Sequence, residues 1–238
     1  SVQLTAAEKL NQSKQVKKTI IVYLENHSFF NLFANFPGAD NEVAKDYLGQ
    51  IDSSNKPYTN LPQVTARHST VADSRFPHEL PNKPFLIDPY VKQEELTPDP
   101  SHEFYTHQVQ INNGANDKFV LYSGDGALAM GYYDNKETFF WSLAKEYVLA
   151  DQFYQSAFGG SFLNHMWLVS SQTQLYKNAP EIIKIELDQE GVAKKSKPLT
   201  PDGYVVNMIQ PLNPPFDKKE TDANNRLPPL DYPTIGER

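Results

Sequence analysis

An α/β fold around a mainly parallel β-sheet is what this sequence predicts, and three observations predict it. Thr19-Ile20-Ile21-Val22-Tyr23-Leu24 is β-branched and unbroken, without polar alternation, so it reads as a strand covered on both faces. Helical patterns flank loop-rich stretches at 99–113 and 137–147, and Tyr147 to Phe153 reads as the approach to another strand. Gly159-Gly160-Ser161 then opens a further helix.

Element by element, residues 1–18 are polar and rich in Lys and Gln, an N-terminal arm or helix leading into the first strand. That strand ends in Glu25-Asn26-His27-Ser28, and in open α/β sheets ligands gather at the carboxyl ends of strands. Residues 37–100 are rich in Pro, Asn, Asp and Ser and predict a long loop region that something else must anchor. Asp99-Pro100 has the form of an N-cap followed by proline, opening a helix that Gly114 closes and placing His102 in its first turn. Phe140, Leu143, Ala144 and Tyr147 recur at helical steps. Phe162, Met166 and Val169 continue a helix from the Gly-Gly turn, with Ser161 near its positive end. Residues 181–209 predict a small hairpin excursion, Ile182 to Leu187 against Tyr204 to Ile209, with a turn at Asp188-Gln189-Glu190-Gly191. Pro211 to Pro233 reads as irregular. Thr234-Ile235-Gly236-Glu237 has the spacing of a capping box, which opens a helix, yet the sequence stops at Arg238; the expectation is an N-terminal piece of something longer.

Composition limits the function. The 238 residues are 39% hydrophobic and 21% charged, values of a folding chain with a sizeable core. With 29 acidic against 22 basic residues the net charge is -7, which opposes nonspecific binding to nucleic acid. An anionic substrate then needs a local positive centre such as a metal. The absence of cysteine excludes disulfides, thiolate metal sites and thiol catalysis. No stretch approaches a membrane span, and the opening lacks a signal peptide's basic and apolar regions.

Few residues carry chemistry. Ser161 is a hydroxyl near a helix N-terminus, where N–H groups stabilise an oxyanion or phosphate. A capping serine after a Gly-Gly turn has the same appearance and is commoner. Glu25 and Asn26 supply an anionic and a neutral oxygen suited to a hard or borderline divalent cation, or Asn26 caps the helix that follows. His102 is a candidate phosphate donor. His27, His68, His78 and His107 have no metal-type spacing, and His165 on a helix fits a hydrogen-bonded core residue. The run Lys194-Lys195-Ser196-Lys197 reads as a solvated hairpin flank. Walker, dinucleotide and zinc-protease motifs are absent.

Taken together, Ile20 to Phe29, Asn35 to Ala39, Ser101-His102-Glu103-Phe104, Gln108 to Gly114, Met130 to Asp134, Ala150 to His165 and Pro201 to Tyr204 resemble, in order, the phosphoesterase family of bacterial acid phosphatases and phosphatidylcholine-type phospholipases C, relatives of the alkaline phosphatase superfamily. The spacing is closer to the acid phosphatase branch. The resemblance implies an alkaline-phosphatase-like sandwich with a mainly parallel β-sheet flanked by helices, residues 1–238 being the N-terminal portion of a single catalytic domain. It also implies that Glu25 and Asn26 bind a divalent metal, that Ser161 bridges to the metal and attacks phosphorus, and that His102 and Asn26 hold the phosphoryl group. The C-terminal half of such enzymes supplies a further pair of metal-binding aspartates and phosphate-binding histidines, which have no counterpart here. The implied function is hydrolysis of phosphate monoesters through a phosphoserine, by a secreted or periplasmic enzyme. Two alternatives accompany it: a phospholipase C acting on choline lipids, and a catalytically incomplete fragment that binds phosphate or a partner.

Overall fold

Helix α1 (Ala6–Ser13) opens on a complete capping box, Thr5 Oγ1 accepting from Glu8 N–H at 3.3 Å and Glu8 Oε2 from Thr5 N–H at 2.8 Å. The structure is a computed structural model and describes residues 5–40, 49–66 and 69–237. After α1 the chain is extended, turns at Glu25-Asn26, and enters the short helix α2 (Phe29–Phe33). Ser28 is the cap of α2, its Oγ accepting from Asn31 N–H at 3.0 Å.

At Thr19 to Leu24 the structure corrects the expected strand. These residues are extended but form no ladder with any described residue, and Ile20 is 89% exposed. Tyr147 to Phe153 forms no strand either, and Val148 is 94% exposed. Apolar β-branched sequence fixes an extended backbone, but a sheet also needs a neighbour to supply the ladder, and none of the described segments does so. The large sandwich is therefore not seen among the described residues. Among those residues helices and strands are mixed, with two sheets of two strands each, β1 (Asn60–Leu61) antiparallel to β2 (Leu80–Pro81), and β3 (Phe85–Leu86) parallel to β4 (Gly131–Tyr132).

The loop-rich region is anchored by a core of its own. Leu61, Val64, Phe76, Leu80, Ile87 and Val91 bury themselves against Val120, Ala127 and Leu128. Gln50 fastens the start, donating from Nε2 to Asn116 carbonyl at 2.9 Å and accepting on Oε1 from Val120 N–H at 3.1 Å. Gly131 is needed where β4 meets this core, since a Cβ there would lie 2.5 Å from Ile87 Cδ1.

Helix α3 spans Phe104–Ile111, not 99–113. Ser101 N–H is taken by Ser123 carbonyl at 2.6 Å, so the Asp99-Pro100 segment stays extended, and Asn112 ends the helix in the left-handed conformation before Gly114 is reached. The short helix α4 (Phe119–Tyr122) follows, then α5 (Phe139–Glu146), which matches the predicted span although Trp141, not the Phe140 face, is its buried residue.

Helix α6 (Ser161–Ser170) begins at the predicted serine. The hairpin is reorganised. Its turn exists, with Asp188 N–H bonded to Val192 carbonyl at 3.0 Å and Leu187 bridging Ala193, but the two predicted arms do not pair. Each meets Leu199 instead, through a parallel bridge to Lys184 and an antiparallel one to Val205. Leu199 is the fully buried centre of a cluster with Ile183, Val205, Ile209 and Leu227, so the core claims the position between the arms. Pro211 to Pro233 is irregular as predicted, apart from a 3-10 turn at Ala223–Asn225.

Candidate active site

The site forms where the Glu25-Asn26 turn, the segment before α3 and the start of α6 meet. Ser161 is the first residue of α6, and the cap position belongs to Gly160. Its hydroxyl is thus free of the capping role that sequence allowed it. It donates to Glu25 Oε1, and Asn26 Oδ1 lies 3.2 Å away. Two acceptor oxygens and one hydroxyl converge here from positions 135 and 136 residues apart in sequence. Asn26 does not cap α2, since Ser28 does that. It sits at φ 64°, a left-handed conformation that asparagine tolerates, which turns its amide towards Ser161.

The Gly-Gly turn is held by a residue further along the same helix. Asn164 donates from Nδ2 to the carbonyls of Gly159 at 3.0 Å and Gly160 at 3.1 Å. Gly160 is required by close approach, for a Cβ there would lie 2.4 Å from His102 carbonyl oxygen. The absent side chain is what lets the His102 segment reach the start of α6.

His102 lies in extended chain before α3, outside its first turn, so the helix dipole no longer explains its role. Its Nδ1 is 2.7 Å from Pro100 carbonyl, which can only accept, so Nδ1 carries a proton and Nε2 is the atom left for a ligand. His102 and Ser161 line one pocket of about 290 Å³. A wider cleft of about 990 Å³ reaches Asn26 and is walled by Phe29, Phe30 and Phe153.

The turn carrying Glu25 and Asn26 is tied down on both sides. Tyr23 packs edge-on against His165 with ring centres 5.0 Å apart, and His165 Nδ1 is 2.8 Å from Ser161 carbonyl. Burial, then the nearby Glu25 charge, pushes the Tyr23 hydroxyl above its ordinary pKa. On the other side α2 is pinned by Trp141 Nε1 to Leu32 carbonyl at 2.8 Å and Asn135 Nδ2 to Asn31 carbonyl at 2.8 Å.

Sequence reasoning missed Asn207. Glu103 makes no side-chain cap for α3, and Phe104 N–H donates instead to Asn207 Oδ1 at 3.0 Å. Asn207 Nδ2 also donates to Lys197 carbonyl at 2.8 Å. One amide therefore braces two walls of the Ser161 pocket, a link across 103 residues that no local pattern could reveal. Asn207→Ala should lower stability by about 1–3 kcal/mol, the cost of leaving such groups unpaired. Thermal or denaturant unfolding of the two proteins checks this.

The other histidines divide. His27 Nδ1 is 3.1 Å from Glu25 carbonyl, His78 is exposed, and His68 lies outside the described residues. His107 packs edge-on against Phe158. Burial lowers its pKa below 6.5, the His102 charge lowers it further, and Glu103 partly opposes them. Below pH 6.5 the unfolded chain takes up a proton that folded His107 resists, so stability should fall as pH drops through that window and recover above it. His107→Gln should flatten this part of the thermal midpoint's pH profile; a profile unchanged by the substitution refutes the assignment.

Among the described residues no three His, Asp or Glu side chains group as a metal site. The donor set of Glu25, Asn26 and Ser161 nevertheless fits a hard divalent cation in part: three oxygens meet and one hydroxyl proton serves them. A family model described as Phosphoesterase family matches residues 16–238. No curated protein and no solved structure matches.

Proposed function

From the premise that this chain belongs to the phosphoesterase family, whose chemistry is hydrolysis of phosphate esters, we propose that it serves a metal-dependent phosphomonoesterase of the acid phosphatase type with Ser161 as nucleophile. The observation that carries this reading is the hydroxyl of Ser161, released from capping and set against Glu25 and Asn26 at the start of a helix. Glu25, Asn26 and Ser161 would hold a divalent cation. Such a cation supplies positive charge that eases ionisation of the serine hydroxyl and neutralises phosphoryl oxygens.

The residues of the chain divide the remaining work. Glu25 receives the hydrogen bond of the Ser161 hydroxyl and orients it. Ser161 loses its hydroxyl proton to solvent as Oγ bonds to phosphorus and the ester P–O bond breaks; the departing alcohol takes up a proton from solvent, and water later cleaves the phosphoserine to phosphate and free serine. The N–H groups at the start of α6 face the charge that develops. His102 faces the pocket with Nε2, because Nδ1–H is committed to Pro100, and the phosphoryl group is the partner we assign to that nitrogen.

We further place the remaining ligands and the covering strands in the C-terminal portion of the same catalytic domain. Support comes from the exposed apolar runs at Ile20 to Leu24 and Tyr147 to Phe153, and from a donor set of three oxygens where a hard cation takes about six. No helix among the described residues is long and apolar enough to cross a membrane. Export after removal of a signal sequence completes the reading, as the resemblance implies.

The test is to quench turnover of a labelled aryl phosphate in acid, with the C-terminal portion present, and to map the label. Phosphate on the peptide containing Ser161 is expected. Burst kinetics with label elsewhere, or turnover with no covalent label, would sink the nucleophile assignment.

A further inference from the structure

We propose that Lys197 is a substrate-binding residue and that its pocket selects the dianionic head of a phosphate monoester with a small leaving group, excluding a cationic choline headgroup. This rests on the phosphoesterase reading above and names the substrate class for it. The pocket brings together His102, Glu103, Gly160, Ser161, Lys197 and Asn207.

Lys197 is set apart from its neighbours in the basic run. Lys194 and Lys195 are exposed and Lys194 pairs with Glu186, as expected of a solvated flank. Lys197 is half-buried in the pocket wall, and among the described residues no carboxylate lies within ion-pair distance of its ammonium group. Its backbone is fixed from both directions. Asn207 Nδ2 holds the Lys197 carbonyl, while the N–H groups of Val206 and Asn207 each donate to Pro198 carbonyl at 3.0 Å. Because Asn207 also holds Phe104 N–H, the segments carrying Lys197 and His102 are positioned by one side chain.

Charge and shape then select the ligand. In a chain of net charge -7, a lysine that lines the same pocket as a serine at a helix start, with no ion-pair partner among the described residues, is a local positive centre, and a doubly charged phosphate gains most from it. Among the described residues Glu103 is the one carboxylate on the wall, against Lys197 and the His102 ring. A quaternary ammonium is bound by several aromatic faces, whereas this wall offers one ring, Phe162, and a lysine that repels it. At about 290 Å³ the pocket is at the lower end of ligand sites, room for a phosphoryl group and a small alcohol.

The experiment measures binding of inorganic phosphate and of choline chloride to the 238-residue chain by calorimetry, with and without Mg²⁺, in wild type, Lys197→Gln, Lys197→Arg and Lys195→Gln. Phosphate should bind wild type, weaken about tenfold in Lys197→Gln, and recover to within about threefold in Lys197→Arg. Lys195→Gln should match wild type, and choline should not bind. Unchanged phosphate affinity in Lys197→Gln, an equal loss in Lys195→Gln, failure of wild type to bind phosphate, or choline binding in the same pocket each overturns the proposal. Should Lys197→Gln fail to fold, the Arg variant decides through a charge-preserving change: phosphate binding lost despite a wild-type thermal midpoint also overturns it. Phosphate binding that depends on Lys197, in an enzyme whose turnover survives Ser161→Ala, would sink the nucleophile reading and leave this one standing.

Discussion

Ser161→Ala, with the proposed C-terminal portion present, is expected to lower kcat/KM for an aryl phosphate by at least about a thousandfold, roughly 4 kcal/mol of transition-state stabilisation. The fold should survive, and the structure says why. Gly160 is the cap, Asn164 holds the Gly-Gly turn through the backbone, and the helix contacts that bury Leu163 do not involve the serine hydroxyl. An alanine therefore removes the oxygen facing Glu25 and Asn26 while leaving α6 intact, with a stability change below about 1 kcal/mol. Activity and thermal midpoint measured together separate the two roles that sequence left open. A loss of activity under about tenfold, or a large fall in the midpoint with activity kept per folded molecule, would return Ser161 to a structural part.

What sequence could reveal here depended on how local the cause was. The start of α6 was legible because two glycines and an amphipathic continuation act within one turn, and the structure starts the helix at Ser161 as expected. The Asp188–Gly191 turn was legible for the same reason. The start of α3 was not, because Asp99-Pro100 is a sound local signal overridden by distant partners, Ser123 taking the Ser101 N–H and Asn207 capping Phe104. Leu199 likewise displaced a hairpin register that alternation alone could not exclude. For the site, residue types and the family resemblance named Glu25, Asn26, Ser161 and His102. Their convergence needed the fold, and so did the place of Lys197, whose backbone carbonyl Asn207 holds in the wall of the Ser161 pocket.

The run Ile20 to Leu24 supports the last prediction. Five consecutive apolar side chains are held in the extended form, and their exposures range from 89% at Ile20 to 38% at Leu24. Burying such side chains gains about 1.5–3 kcal/mol each, so leaving the group in water forgoes a sum comparable to the net stability of a domain. Tyr147 to Tyr154 presents the same problem, with Val148, Phe153 and Tyr154 exposed. Extended apolar backbone that forms no ladder with any described residue takes up a neighbouring strand, and the proposed C-terminal portion is the partner whose sheet would cover it. The chain alone should therefore bind divalent metal weakly, hydrolyse aryl phosphate at background rate and associate in solution. Adding the C-terminal portion in trans should raise activity at least about a hundredfold and slow amide hydrogen exchange at residues 20–24 and 148–153. Exchange is the deciding measurement, because restored metal ligands could raise activity without touching these runs. Full turnover by the 238-residue chain alone, or exchange at both runs that the added portion leaves unchanged, would show that neither the site nor the sheet depends on that portion.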